Sequence, residues 1–420
     1  MEKKEKIYRR KIEDVLVKHL DRKEMLGIKG ARQVGKTTLL KIIYEKTKAK
    51  KNFINMDLPE MRRTMEENPV DIVKRYKEER KKFYLFIDEI QRVKNAGEKL
   101  KIIYDEFQDV KILFSGSSSL ELKAEILPFL VGRAFIFELY SFDFEEFLQT
   151  KDEGLLKIFR EKNESLRKTI DDHDEPQPPS FESEFLHLLK EYLVFGGYPE
   201  VLKTEDKETK EMILKNIYSL YIEKDIISYF GIKETTKFED MLKMLAFRVS
   251  SLLSITSIAS ALKTNFHKAE EYLEILKHTY IIHLLRPFYR NLVTELRKTQ
   301  KLYFLDLGLR NAVINNFVEF DNRPDGGALL ENFVFRELFT CGYSINYWRT
   351  TGKTEIDFII KKNGNVVPIE VKLTETKLGK GFRSFINTYK PEVAILVTMD
   401  EFGKDKIDSC KIYKVPAYYL

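Results

Sequence analysis

Through its first 140 or so residues the chain alternates short apolar runs with amphipathic stretches, the pattern of parallel strands joined by helices. MLGIK (25–29) predicts a strand, followed by a glycine turn and a helix over TTLLKIIYEKT (37–47). KNFINMDL (51–58) predicts a second strand, and AFIFEL (134–139) a last one. FYLFID (83–88) and KILFSG (111–116) are apolar enough for strands buried on both faces. The pattern then changes. TIDDHDEPQPPS (169–180) is polar, charged and proline-rich, which marks residues 151–184 as a linker or exposed insertion. Helical spacing of apolar residues follows, from about Phe185 to Thr279, broken by the turn GGYPE (196–200). After Phe304 comes a connecting stretch, and the C-terminal part reads as strands and helices again.

Composition narrows the class. A chain of 420 residues exceeds one ordinary core, and 43% hydrophobic with 12% aromatic residues excludes disorder over its whole length. Cys341 and Cys410 are the only cysteines, so neither a disulfide framework nor a Cys/His zinc site is expected. The N-terminus MEKKEKIYRRKIEDVL lacks the apolar core of a signal peptide, and no run approaches the roughly 18 apolar residues that span a bilayer. A cytoplasmic protein with no membrane partner is expected. The net charge of +6 is concentrated at the start, where residues 1–50 hold 16 Lys/Arg against 7 Asp/Glu. Global charge therefore gives no argument for nucleic acid.

The strongest chemical signal is GARQVGKT (30–37), which fits G-x-x-x-x-G-K-[ST] between a strand and a helix. Gly30 and Gly35 let backbone N–H groups curl around a phosphate, and the helix N-terminus adds its positive dipole end. Gly30, Ala31, Arg32, Gln33, Val34, Gly35, Lys36, Thr37 and Thr38 form the expected nucleotide-binding segment. Lys36 supplies charge to the β- and γ-phosphates, and Thr37 places a hydroxyl on magnesium. FYLFIDE (83–89) supplies the complement: Asp88 on the metal side and Glu89 to polarise the attacking water. ATP and Mg2+ are the expected cofactors. Ser117, Ser118 and Ser119 either sense the γ-phosphate, Ser117 foremost, or form an ordinary serine turn. Arg133 is either an arginine finger given to a neighbour's nucleotide, which requires a homo-oligomer, or a surface salt-bridge residue.

This order of loop, acidic pair, GSSS and GR resembles the AAA-superfamily ATPases of archaea and bacteria. More narrowly, GARQVGKTTLL, FIDEIQ, FSGSSS, SFDFEEFL, GGYPEVL and YFLDLGLRNAV resemble prokaryotic ATPases that carry a C-terminal domain of uncertain function. The resemblance spans nearly the whole chain. It implies an AAA-type P-loop ATPase domain over residues 1–150.

Two distal features extend the reading. Residues 255–290 run helix, turn, helix, strand pair, with Thr256 as N-cap and Lys263–Asn265 as the turn, the outline of a winged helix-turn-helix within a helical region 185–315. That element either contacts DNA or serves as a packing module, because Glu270, Glu271 and Glu274 offset Lys263, Lys268 and Lys277. In TEIDFIIKKNGNVVPIEVKL (354–373), Asn-Gly predicts a hairpin, and alternation places Asp357, Glu370 and Lys372 on one face. Two acids and a lysine so placed can bind a divalent ion and activate a water; the alternative is a solvent-facing ion pair. Tyr347, Trp348 and Arg349 stack on bases or fill the core. The hairpin resembles the restriction-endonuclease-like PD-(D/E)XK core, although no proline precedes Asp357. On that resemblance residues 316–420 form a nuclease-like α/β domain, and Glu331 completes a metal site with Asp357 and Glu370. The chain is therefore expected to be an α/β protein that hydrolyses ATP and acts on DNA. The alternative is a slow ATP-driven switch whose C-terminal domain binds a partner or nucleic acid without cleaving it.

Overall fold

A computed structural model describes residues 7–420 except 79–80, 117–125, 222–229, 289–297, 351, 353, 363–364 and 375–377. The chain divides into two compact units: Met1–Ser141 with His278–Tyr280, and Phe142–Lys277 with Ile281–Leu420.

The first unit is built on five parallel strands: β1 (Met25–Lys29), β2 (Lys50–Asn55), β3 (Phe83–Asp88), β4 (Val110–Gly116) and β5 (Ala134–Glu138). They lie in the order β2-β3-β4-β1-β5. Every residue of β1, β3 and β4 is buried, as their continuous apolar character requires, whereas the edge strands β2 and β5 are partly exposed. Leu85, Ile87, Ile103, Ile112 and Phe114 belong to one core cluster. Each such side chain contributes about 1.5–3 kcal/mol relative to an exposed position. Helices α1 (Ile12–Lys18) and α2 (Lys36–Lys46) bury Leu16, Leu39, Leu40 and Ile43. The parallel order places every strand's C-terminal end on one edge of the sheet, where the loops after β1 and β3 meet.

The second unit combines helices with a mixed sheet. Within residues 151–184, Glu153–Asp172 is a 20-residue helix capped by Asp152, whose carboxylate accepts from Leu155 N at 2.9 Å. Its apolar stripe Leu156, Phe159, Leu166 and Ile170 is buried, and residues 173–181 after it lack regular structure. Ser180 is held there by the Tyr419 hydroxyl, which accepts from its N–H and donates to its carbonyl, both at 2.8 Å. The GGYPE and YFLDLGL motifs meet at one corner. The Asp306 carboxylate accepts from Gly197 N and Leu309 N, each at 2.9 Å.

Helices Ile255–Ala261 and Phe266–His278 precede strands β6 (Ile282–Leu285) and β7 (Lys301–Phe304), which pair antiparallel. Ser254 rather than Thr256 is the N-cap, because it stands outside the helix and its hydroxyl accepts from Ser257 N at 3.3 Å. The turn does fall at Lys263–Asn265: Lys263 is left-handed at φ 49°, and Asn265 Oδ1 accepts from Lys268 N at 2.8 Å.

The C-terminal sheet comprises β8 (Ser344–Arg349), β9 (Glu355–Lys362), β10 (Asn365–Val371), β11 (Val393–Thr398), β12 (Gly403–Ile407) and β13 (Cys410–Pro416), in the order β12-β13-β11-β10-β9-β8. β9 and β10 pair antiparallel with Lys362 opposite Asn365; the Asn363–Gly364 turn lies outside the described residues. Helix Lys380–Tyr389 links β10 to its parallel neighbour β11 and buries Phe382, Phe385 and Ile386 against Trp348, Ile356 and Ile359. Tyr347 and Trp348 are therefore core residues, 3% and 7% exposed.

Candidate functional site

The phosphate loop occupies the turn between the end of β1 and the start of α2. Gly35 stands at φ 96°, a conformation open to glycine, and directs the chain into the helix. Gly30 has a different reason: a Cβ there would lie 2.0 Å from the Leu139 carbonyl oxygen. Close backbone approach at the sheet edge thus fixes that glycine independently of any ligand. Ala31 and Val34 are buried, Arg32 is half-buried, and Gln33 and Thr38 are exposed. A further anchor comes from Arg10, 5% exposed, which donates to Val34 O at 2.8 Å and Tyr140 O at 2.7 Å. No local pattern marks Arg10, since its partners are 24 and 130 residues away.

Lys36 arches back over its own loop, donating to Gly30 O at 3.0 Å and Ala31 O at 2.6 Å. The Thr37 hydroxyl donates to Asp88 Oδ2 at 2.8 Å, and the Ser115 hydroxyl donates to Asp88 Oδ1. One helix N-terminus and two strand ends therefore converge on the buried Asp88. The donor set suits magnesium with a nucleotide: a hydroxyl and a carboxylate are hard oxygen ligands, beside an ammonium and a helix N-terminus for phosphates.

Glu89, next to Asp88, holds a left-handed backbone at φ 56°, which costs a non-glycine residue energy and commonly marks a functional position. Its N–H donates to Ser115 Oγ at 3.3 Å, and Gln91 Nε2 donates to its carboxylate. Ser115 and Gln91 were not singled out in the sequence, although KILFSG and FIDEIQ contain them. Ser117, Ser118 and Ser119 lie outside the described residues. Arg133 stands elsewhere: its carbonyl accepts from Met25 N, at the opposite end of β1 from the phosphate loop. Its guanidinium is paired with Asp105 at 3.0 Å.

In the second unit the expected acids meet a partner that the sequence did not announce. Lys301, 3% exposed on β7, places Nζ 2.8 Å from Glu331, 2.6 Å from Glu355 and 3.1 Å from Asp357. Tyr303 donates to Glu331 at 2.7 Å, and Val371 N donates to Asp357 Oδ2 at 2.9 Å. Glu370 pairs with Lys372 at 3.0 Å. Burial, with the Asp357 charge adding to it, lifts Glu331 to about 8 and Glu370 to about 7. Burial works against the Lys301 charge, yet the surrounding carboxylates outweigh it and hold that ammonium above its ordinary range.

Of the residues expected to hold a metal, Glu331 and Asp357 both lie against Lys301, and Glu370 lies against Lys372. Among the described residues no group of three or more His, Cys, Asp or Glu side chains is arranged to hold a metal ion. The physical reason is that an ammonium already sits among the acids, and Glu355 joins them.

Separate parts of the chain match separate family models. Residues 22–148 match the family model of an AAA domain, and the N-terminal unit has a parallel-sheet core like that of P-loop ATPases. Residues 186–319 and 326–418 match two domains of unknown function, DUF8612 and DUF4143. An uncharacterized protein of Haemophilus influenzae is 25% identical over 345 residues, covering 81% of this chain and 78% of that one. An uncharacterized protein of Methanocaldococcus jannaschii is 27% identical over 315 residues, 73% of this chain and 65% of that one. Among solved structures, a Walker-type ATPase of Pyrococcus abyssi aligns with 73% of this chain and 96% of its own, at 15% identity and TM-score 0.47. No described helix is long and apolar enough to cross a membrane.

Proposed function

We propose that this protein binds ATP with magnesium and hydrolyses it slowly, as a nucleotide-driven switch whose C-terminal domain binds a partner or DNA without cutting it. The observation that carries the ATPase reading is the convergence of Thr37 and Ser115 on Asp88, beside Lys36. Loop N–H groups and Lys36 would bind the triphosphate, while Thr37 and Asp88 would hold magnesium. The metal, when bound, supplies charge neutralisation across the β- and γ-phosphates. Glu89, fixed by Ser115 and Gln91, orients the attacking water and accepts its proton on a carboxylate oxygen. Arg133 faces away from its own loop, so any role in hydrolysis is across a subunit boundary in a homo-oligomer.

The non-cutting half rests on Lys301, which fills the centre of the acidic cluster. The helix-turn-helix with its strand pair is read as a winged helix that supports docking. Its lysines Lys268 and Lys277 are paired with Glu271 and Glu274 on the same helix, which weakens its pull on phosphates. A second reading, magnesium-dependent DNA cleavage, is favoured by Asp357, Glu370 and Lys372 sharing one end of the β9–β10 pair.

ATP turnover and DNA cleavage measured in parallel on wild type, Lys36→Ala and Asp357→Ala decide between the readings. Slow turnover lost in Lys36→Ala, with no cleavage of single-stranded, duplex or branched DNA by any form, is expected. Cleavage that disappears in Asp357→Ala and persists in Lys36→Ala would overturn the non-cutting half.

A further inference from the structure

The C-terminal cluster combines an unusual concentration of negative charge with one buried cation. Glu331, Glu355 and Asp357 come from a helix and from β9, and all three have an oxygen within 3.1 Å of one point, the Lys301 nitrogen. Glu370 adds an independent sign of an incompletely satisfied site. It is 6% exposed, and its Oε2 has no hydrogen-bond partner among the described residues. The pairing of Ile369 with Phe358 puts Glu370 and Asp357 on the same face one step along the strands. A buried carboxylate oxygen left unpartnered costs about 1–3 kcal/mol or more, so its retention calls for an explanation.

Oxygen ligands drawn to one centre are what a small hard divalent cation binds. An ammonium can occupy such a centre only as a point charge, with contacts near 3 Å instead of the roughly 2.1 Å of Mg2+. We propose that Lys301 is the built-in occupant of a divalent-cation site formed by Glu331, Glu355 and Asp357, with Glu370 beside it, so that ammonium and metal exclude each other. The lysine is thus an autoinhibitory residue: with it in place the acids are neutralised and the site is closed to Mg2+ or Mn2+. This rests on the non-cutting reading of the C-terminal domain and supplies its cause. Lys301 lies on β7, in sequence before the helix that carries Glu331 and the strand that carries Asp357. Its place at the centre is therefore set by tertiary packing.

The test is a Mn2+ titration of the full chain, without nucleotide or DNA, followed by electron paramagnetic resonance of free Mn2+. Wild type and Lys301→Arg are expected to show no tight site. Lys301→Met is expected to gain one site per chain, bound at least tenfold more tightly than any site in wild type, and lost again in Lys301→Met/Asp357→Asn. Circular dichroism guards against a folding defect: a Lys301→Met chain that is unfolded alone but refolds with Mn2+ supports the proposal equally. A folded Lys301→Met that binds no Mn2+, an unfolded one that Mn2+ does not rescue, or an Asp357-dependent site of equal affinity in wild type overturns it. DNA cleavage by wild type would break the functional reading instead, and this titration contains no DNA.

Discussion

Two lysines of this chain, both nearly buried, sit in opposite settings. Lys36 donates to carbonyls five and six residues away in its own loop, uncharged acceptors that position an ammonium. Lys301 faces three carboxylates from distant segments, the farthest 56 residues away. The first arrangement presents positive charge at a helix N-terminus beside a buried carboxylate, as a triphosphate with magnesium requires. The second consumes positive charge inside the protein. Chemistry at the two ends of the chain thus differs through the acceptors around a lysine, and the residue type alone does not reveal it.

The largest expected effect lies at the phosphate end. Glu89→Gln should slow ATP hydrolysis by about a hundredfold or more while leaving ATP binding intact, as phosphate release and nucleotide titration will show. An unchanged rate would remove Glu89 from the site. Next, Lys301→Met in metal-free buffer should destabilise the second unit by about 3 kcal/mol in urea unfolding, since removal of one buried partner strands the others. A neutral outcome would mean that the carboxylates do not need their cation, and the contrast with Lys36 would fail.

A smaller effect follows from titration. A carboxyl raised in the folded state binds its proton more tightly there than in the unfolded chain. The contribution of Glu331 and Glu370 is therefore complete below about pH 4.5 and is lost as pH rises through about 7 to 8. The thermal midpoint should fall between about pH 6 and pH 8.5, and Glu370→Gln should flatten that slope. A midpoint rising over this window would contradict the assignment. Smallest of all is Arg133→Ala. Its pair with Asp105 is solvent-exposed, so the urea midpoint should stay where it is. Any loss of ATP turnover in that variant then reports an action across a subunit boundary.

The sequence reveals what is local. Strands β1, β3 and β4 were legible because buried parallel strands are continuously apolar, and the phosphate loop because its contacts close within a few residues. Thr37 with Asp88 was inferred from two motifs, and the structure joins them at 2.8 Å. What stayed hidden depends on long-range packing. Arg10 props the loop through Val34 and Tyr140, Ser115 reaches Asp88 from a neighbouring strand, and Lys301 meets three acids from two distant segments. The helix Glu153–Asp172 was obscured because its polar C-terminal turn runs straight into the proline-rich stretch. Ser and Thr recur at 254, 256 and 257, and spacing alone does not single out Ser254 as the cap.

The most direct test is ATP binding and turnover with magnesium by Lys36→Ala beside wild type. Wild type should bind ATP and release phosphate, and Lys36→Ala should do neither while keeping the same fold by circular dichroism. A Lys36→Ala protein that still hydrolyses ATP at the wild-type rate would contradict the account.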